Sequence, residues 1–220
     1  MFRKYEKTFR AQVPGIEVSS RYHLPKEDLK HLLNGEVIVE EKMDGANIGI
    51  IRHKEGIHLQ KRGSLVGTSE HEQFQFFHNW AQYQNRERLM ELPIGTILYG
   101  ELLYAVHSIY YDSLPDYVLF FDAWSKKKDG YLSYEQRAEL CSGLGLFMVP
   151  LRGRGHFSVG DLPDLMPPAS AHGPTAEGMV IKRYRKGECL RAKVVKPEFL
   201  KHMEESDHWM HQAIRRNKRV

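Results

Sequence analysis

The sequence predicts an α+β domain in which antiparallel hairpins alternate with short helices. Two pairs of β-prone segments flank hairpin-length turns, 46–52 with 57–62 and 179–184 with 189–195. Between them, Phe74, Phe77 and Trp80 recur with Ala81 at near-helical spacing in the stretch 70–89. No internal repeat, low-complexity tract or Ser/Gly-rich linker divides the 220 residues, a length that supports one large domain or two small ones.

Taken in order, the β-branched run Val37-Ile38-Val39 reads as a strand leading into Glu41-Lys42-Met43-Asp44-Gly45. His53-Lys54-Glu55-Gly56 is the turn of the first hairpin, and 96–103 and 117–124 read as further strands. Ser133 with Gln136 forms a capping-box pattern that opens a helix ending near Gly143. Arg185-Lys186-Gly187-Glu188 turns the second hairpin. Pro197 then sits where a first helical residue is tolerated, before Phe199, Met203, Met210 and Ile214 along one stripe. The expected organisation is a domain over 1–196 followed by a helix and basic tail over 197–220.

Composition narrows the classes. Hydrophobic residues at 41% and charged residues at 27% exclude a disordered or fibrous chain. Apolar runs such as Val118–Phe121 are too short to span a membrane, and the charged opening Met1–Glu6 has no apolar segment behind it to act as a secretory leader. Two cysteines, Cys141 and Cys189, cannot staple a scaffold, so a reducing, cytoplasmic setting is expected. The net charge of +4 permits a polyanionic partner without requiring one. Basic residues gather in Arg152-Gly-Arg-Gly, in 182–186 and in 215–219, and by themselves read as solvated faces. The 12 histidines lack any Cys-x-x-Cys or His-Glu-x-x-His context and read as surface residues.

Chemistry concentrates in three places. Lys42 leaves an apolar strand two residues before an aspartate and three before a glycine. As a free amine it is a nucleophile for an electrophilic phosphorus, which requires that its proton, normally held to about pH 10.4, be removed. In Glu177-Gly178-Met179-Val180-Ile181-Lys182, the glycine admits close backbone approach and the glutamate can serve a divalent cation. In Leu190–Val194, strand alternation sends Arg191 and Lys193 to one face, where two cations need a shared anion such as a triphosphate.

Lys42-x-Asp44-Gly45, Tyr99-Gly100-Glu101, the strand from Tyr117 to Asp122, Glu177-Gly178-x-Val180-x-Lys182 and the basic strand follow one another in this order. The series resembles the ordered motifs of the covalent nucleotidyltransferases (DNA ligases, RNA ligases and mRNA capping enzymes) over residues 37–196. Within that superfamily, Glu41-Lys42-Met43-Asp44-Gly45-Ala46-Asn47, the pair Lys61-Arg62 before Gly63 and the opening Phe2-Arg3-Lys4-Tyr5 are similar to the double-strand-sealing RNA ligases, which include the trypanosome RNA-editing ligases. The resemblance implies an ATP-grasp-like adenylation domain of antiparallel sheets flanked by helices.

It also implies a reaction and a cast. ATP adenylylates Lys42, AMP passes to an RNA 5′-phosphate, and a 3′-hydroxyl displaces it, with RNA repair as the setting and nicked or bridged duplex as the substrate. Lys182 and Lys193 would contact the α-phosphate and depress the pKa of Lys42. Arg62 would face ribose or the end phosphate, Glu101 the ribose hydroxyls, and Phe121 the purine. Asn47 would join the nucleotide site, and Glu177 would hold Mg2+ or Mn2+. A carboxylate at Glu41 would accept from the adenine amine and repel the guanine carbonyl, favouring ATP over GTP.

Two features depart from the pattern. Arg191 stands where these ligases carry lysine, keeping charge but preferring paired acceptors. Only 24 residues follow Lys196, against the further domain of the relatives. The expectation is a catalytic core whose tail docks nucleic acid or whose partner protein supplies the missing domain. The alternatives are a DNA ligase core and an adenylate-holding RNA-end-binding module.

Overall fold

The computed structural model describes residues 2–16, 23–67, 70–199 and 214–220. In chain order the elements are β1 (Phe9–Arg10), α1 (Lys26–Leu33), β2 (Val37–Lys42), β3 (Ala46–Arg52), β4 (Ile57–Lys61), β5 (Ser64–Leu65), α2 (Glu72–Asn79), α3 (Arg86–Met90), β6 (Thr96–Leu102) and β7 (Val118–Ser125). They continue with β8 (Gly130–Tyr131), α4 (Tyr134–Gly143), β9 (Phe147–Met148), β10 (Leu151–Gly155), β11 (Gly178–Arg185) and β12 (Glu188–Val195). One sheet has the order β1-β12-β11-β2-β10, and the other the order β5-β4-β3-β6-β7-β8 with β9 on β7. Pairings are antiparallel except β1 with β12 and β9 with β7. This is the α+β architecture of antiparallel sheets that the sequence predicts, here divided into two sheets.

Each expected hairpin forms. The first turns at His53–Gly56, where the His53 amide donates to the Gly56 carbonyl at 2.7 Å. The capping box at Ser133 and Gln136 is closed in both directions and starts α4. The aromatic stretch is less regular than its spacing suggests. α2 passes into one π-helical turn over Trp80–Gln84 and restarts at Arg86, while the Asn85 side chain donates to the Trp80 carbonyl at 3.0 Å. That wider turn keeps Phe77, Trp80 and Ala81 all in the core against Ile48, Leu98 and Phe120. A second core packs α1 residues Leu29 and Leu32 on Val37, Val39, Met179, Ile181, Ala192 and Val194.

Several solvated-face readings are corrected. Lys182 and Arg183 are buried, because β11 is a central strand with neighbours on both sides. Arg152-Gly-Arg-Gly is the edge strand β10, and Arg154 pairs with Glu36 at 2.7 Å and Glu135 at 2.6 Å. Of the helix expected after Pro197, residues 200–213 lie outside the described residues. Phe199 packs with Met43, Tyr111 and Leu114. The basic 214–220 segment runs along the body, bridging Ala105 through Arg216 and Leu114 through Arg219. The tail expected to dock nucleic acid thus has its arginines over tyrosines of its own chain, Arg215 over Tyr110 at 4.7 Å and Arg216 over Tyr104 at 5.0 Å. Among the described residues no helix is long and apolar enough to cross a membrane.

Candidate active site

The two sheets meet at a cleft of about 820 Å³, counting its open mouth. β2 brings Glu41 and Lys42 to it from one sheet, and β3 and β6 bring Asn47 and Glu101, cross-strand partners, from the other. Phe121, Lys182, Lys193 and Arg62 also line it. Eight of the nine sequence-predicted site residues therefore face one space, and the ninth, Glu177, reaches it through Lys42.

Lys42 ends β2 opposite Gly178 of β11, which puts Glu177 beside it. The Lys42 ammonium donates to Glu177 Oε2 at 2.6 Å. Glycine at 178 is a steric requirement, since a Cβ there would lie on the Val194 carbonyl oxygen. The turn after Lys42 is equally fixed. Ser108 and Ile109 amides donate to Asp44 Oδ2 at 2.6 and 2.9 Å, the Asp44 amide donates to the Tyr111 hydroxyl at 2.8 Å, and the Gly45 amide donates to Glu101 Oε1 at 3.2 Å.

Electrostatics correct one expectation. Burial disfavours the Lys42 ammonium, but the carboxylates of Glu177, Glu101 and Asp44 outweigh it and raise its pKa. The neighbouring lysines do not outweigh these carboxylates, and the protein alone favours the charged form of Lys42. Burial, together with Glu177 and Asp44, lifts Glu101 to about 8 against the pull of Lys42. Lys193 goes the other way, down to about 8, through burial and the cations of Lys42, Arg10 and Arg62.

Lys182 is the second correction. Its ammonium lies 2.8 Å from Glu40 Oε2, 3.2 Å from Asp122 Oδ2 and 2.5 Å from the Phe121 carbonyl, so all its donors are occupied within the protein rather than offered to a phosphate. It floors the cleft. Arg137 contacts Glu40 and lies 3.7 Å from Asp122, which Tyr184 also binds at 2.6 Å. These cations, with Arg191, hold the Asp122 carboxyl below its usual range despite burial.

Arg191 belongs to the same network, which corrects the shared-triphosphate reading. It reaches Glu6 at 2.6 Å and Asp122 at 3.6 Å and lies beside two rings, Tyr5 at 4.4 Å and Tyr131 at 4.8 Å. Its shared anion is inside the protein, and a guanidinium is attracted to the aromatic rings beside it. Lys193 alone of the pair lines the cleft.

At the purine end, Phe121 packs edge-on against Tyr5 with ring centroids 5.1 Å apart. Glu41 is buried, and its Oε2 accepts from Arg152 and from the Ala171 amide at 3.1 Å. Glu41 Oε1 and Asn47 Oδ1 are buried acceptors with no hydrogen-bond partner. Buried acceptors in native proteins are mostly paired, with protein, water or ligand. Sequence reading missed Arg152 and Tyr5, whose roles follow from cross-sheet contacts with no local spacing to reveal them.

A half-buried lysine 2.6 Å from a buried carboxylate shares one cleft with Lys193, Arg62 and the Phe121 ring, a set of groups suited to a phosphorylated aromatic guest. The chain belongs to the RNA ligase family, whose model matches residues 35–196. No curated protein matches it by sequence. Solved structures of Naegleria gruberi RNA ligase variants share the fold. One with ATP and Mn superposes with a TM-score of 0.63 at 17% identity, covering 81% of this chain and 55% of that one. An apo form gives 0.65 at 16%, covering 92% and 64%. A further ATP and Mn complex gives 0.65 at 16%, covering 92% and 65%. The chain thus spans somewhat less than two thirds of those ligase chains.

Proposed function

We propose that this protein is an ATP-dependent RNA ligase that joins 5′-phosphate and 3′-hydroxyl RNA ends through a lysyl-AMP intermediate on Lys42. The observation that carries the reading is Lys42 itself, half-buried in the family's matched region and 2.6 Å from Glu177 in a nucleotide-sized cleft.

The Lys42 amine attacks the α-phosphorus of ATP, forming a P–N bond as the bond to pyrophosphate breaks. A 5′-phosphate oxygen of the RNA then attacks the same phosphorus, and Lys42 leaves and regains a proton. Finally the 3′-hydroxyl attacks the 5′-phosphorus and AMP departs. Each displacement gains from positioning and charge stabilisation, which Lys193 and Arg62 supply to the phosphates. Glu41 Oε1 accepts from the adenine amine, Phe121 stacks on the ring, and Glu101 with Asn47 meets the ribose.

Among the described residues no three His, Cys, Asp or Glu side chains form a metal-ligand cluster. Glu177 would accordingly hold Mg2+ or Mn2+ with phosphate oxygens and water completing the shell, the coordination that Mg2+ favours, and the ion would neutralise phosphate charge. Whatever occupies the Glu177 carboxylate removes the counter-ion that keeps Lys42 protonated. Strand sealing in RNA repair on nicked or bridged duplexes, a partner protein that extends the RNA-binding surface, and a cytoplasmic setting complete the reading. Both cysteines are free thiols, which supports the last of these.

The test is the intact mass after incubation with ATP and Mg2+. An added AMP on the wild type and none on Lys42→Ala supports the reading, and a nicked RNA duplex then reports sealing. No adduct on protein stripped of bound AMP by pyrophosphate overturns it.

A further inference from the structure

Residues 103–117, between β6 and β7, form a long loop with no strand or helix of its own, a kind that usually has a task. Its inner side carries the three hydrogen bonds that fasten Asp44. Its outer side is fastened by the 214–220 segment. Asn217 is 3% exposed, with Oδ1 accepting from the Tyr111 amide at 2.8 Å and Nδ2 donating to the Leu103 and Ala105 carbonyls at 2.8 and 3.3 Å. Its own amide donates to the Tyr104 carbonyl at 3.1 Å, and its carbonyl accepts from the Tyr117 hydroxyl at 3.0 Å. The Lys218 amide adds a bond to the Tyr111 carbonyl at 2.9 Å.

Tyr111 is thereby gripped on both backbone groups from one side and grips Asp44 with its hydroxyl on the other. We infer that Asn217 is a positioning residue for the nucleophile, acting through Tyr111 to hold the Lys42–Gly45 turn in the geometry of attack. This rests on the ligase reading for its kinetic consequence, but the mechanical link is a property of the fold alone. The arrangement explains why a side chain 175 positions from Lys42 is buried with both its amide oxygen and its amide nitrogen engaged. A surface strap would need only the outer contacts, such as Arg216 to Glu72 at 3.0 Å. An asparagine amide, unlike any apolar plug, can serve one N–H and two carbonyls at once.

Three variants test the link: Asn217→Ala, Asn217→Asp, which keeps the acceptor for the Tyr111 amide and loses the donors, and Tyr111→Phe, which keeps the ring and loses the hydroxyl. Single-turnover AMP transfer to Lys42 is measured at saturating ATP, well below each melting temperature, beside the ATP Kd. The expected result is a rate about 10-fold to 100-fold lower in Asn217→Ala with Kd changed less than about 3-fold, because small misplacement of a nucleophile costs rate rather than binding. Asn217→Asp should lose at least as much as Ala, because its second oxygen would face the Leu103 and Ala105 carbonyls. The double variant Asn217→Ala/Tyr111→Phe should lose little more than the worse single one, since both cut the same path.

Hydrogen exchange of the peptide carrying 42–48 is the activity-free readout and should speed up in Asn217→Ala and Tyr111→Phe alike. An unchanged rate and exchange in Asn217→Ala, or additive losses in the double variant, overturns the inference. Should Asn217→Ala fail to fold, the same measurements on Asn217→Asp and Tyr111→Phe decide. A wild type that forms no adduct while Asn217→Ala still loosens 42–48 would overturn the ligase reading and leave the mechanical link standing.

Discussion

Arg152 reaches from an edge strand to one carboxylate oxygen of Glu41 and leaves the other oxygen buried without a partner. The guanidinium, with the Ala171 amide, fixes which oxygen is spent and which is left over. A fixed negative acceptor distinguishes the adenine amine from the guanine carbonyl only while it stays put and stays ionised. Arg152→Ala should therefore reduce the preference for ATP over GTP in Lys42 adduct formation by about 10-fold, the order expected for loss of one charge-assisted contact. Paired mass spectra with the two nucleotides give the ratio. An unchanged ratio would show that the free oxygen of Glu41 does not read the base.

Binding of ATP should weaken in alkali. Lys193, depressed to about 8, carries its charge below that pH and loses it above. Glu101, raised to about 8, is neutral below and anionic above. Both changes act against a bound polyanion as pH rises. From pH 7 to 9 the ATP Kd should increase about 10-fold for Lys193 alone if bound ATP keeps it protonated. Lys193→Met should bind weakly throughout with a flatter profile, and calorimetric titrations at several pH values would check it.

The chemical step should run opposite. The reactive form of Lys42 is the amine, and its pKa lies above that of an ordinary lysine. The single-turnover rate at saturating ATP should therefore rise about 10-fold per pH unit between 6 and 8. Glu177→Gln removes the carboxylate that stabilises the ammonium, so its profile should move to lower pH even as its maximum falls for want of a metal ligand. A profile flat across that range would sink the assignment of Lys42 deprotonation as limiting.

The charge cluster under the cleft predicts a stability effect. Lys182→Met leaves Glu40 and Asp122 short of a cation at sites 1% and 0% exposed. Breaking a buried pair from one side costs about 3–5 kcal/mol, which a urea midpoint would register directly. Adding Glu40→Gln to Lys182→Met should restore part of the loss, because the excess anion is removed.

What could be read from the chain alone divides along physical lines. Hairpins and the Ser133 capping box are local, written in residues a few positions apart, and the structure has each within one or two residues of where spacing puts it. The site residues are legible because the motif order carries them, although their surroundings are not. Alternation correctly sends Arg191 and Lys193 to one side of β12, but alternation cannot know that Tyr5 and Tyr131 close over the arginine. Lys42 shows the same limit. Its place follows from the motif, whereas the sign of its pKa shift depends on which charges stand nearest, and those come from positions 101 and 177. β10 escapes pattern reading because two of its five residues are glycine and two are arginine, a composition that reads as loop.

The cluster beneath the cleft is also a weld. Glu40, Lys182 and Arg191 stand on one sheet and Asp122 on the other, with Arg137 from α4 bridging Glu40 and Asp122. Sliding or prying the sheets apart would separate several unlike charges where little water can replace them, so the gap between the sheets has one width. A cleft of set width works as a calliper: it accepts a guest by fit and does not close around one by moving its walls.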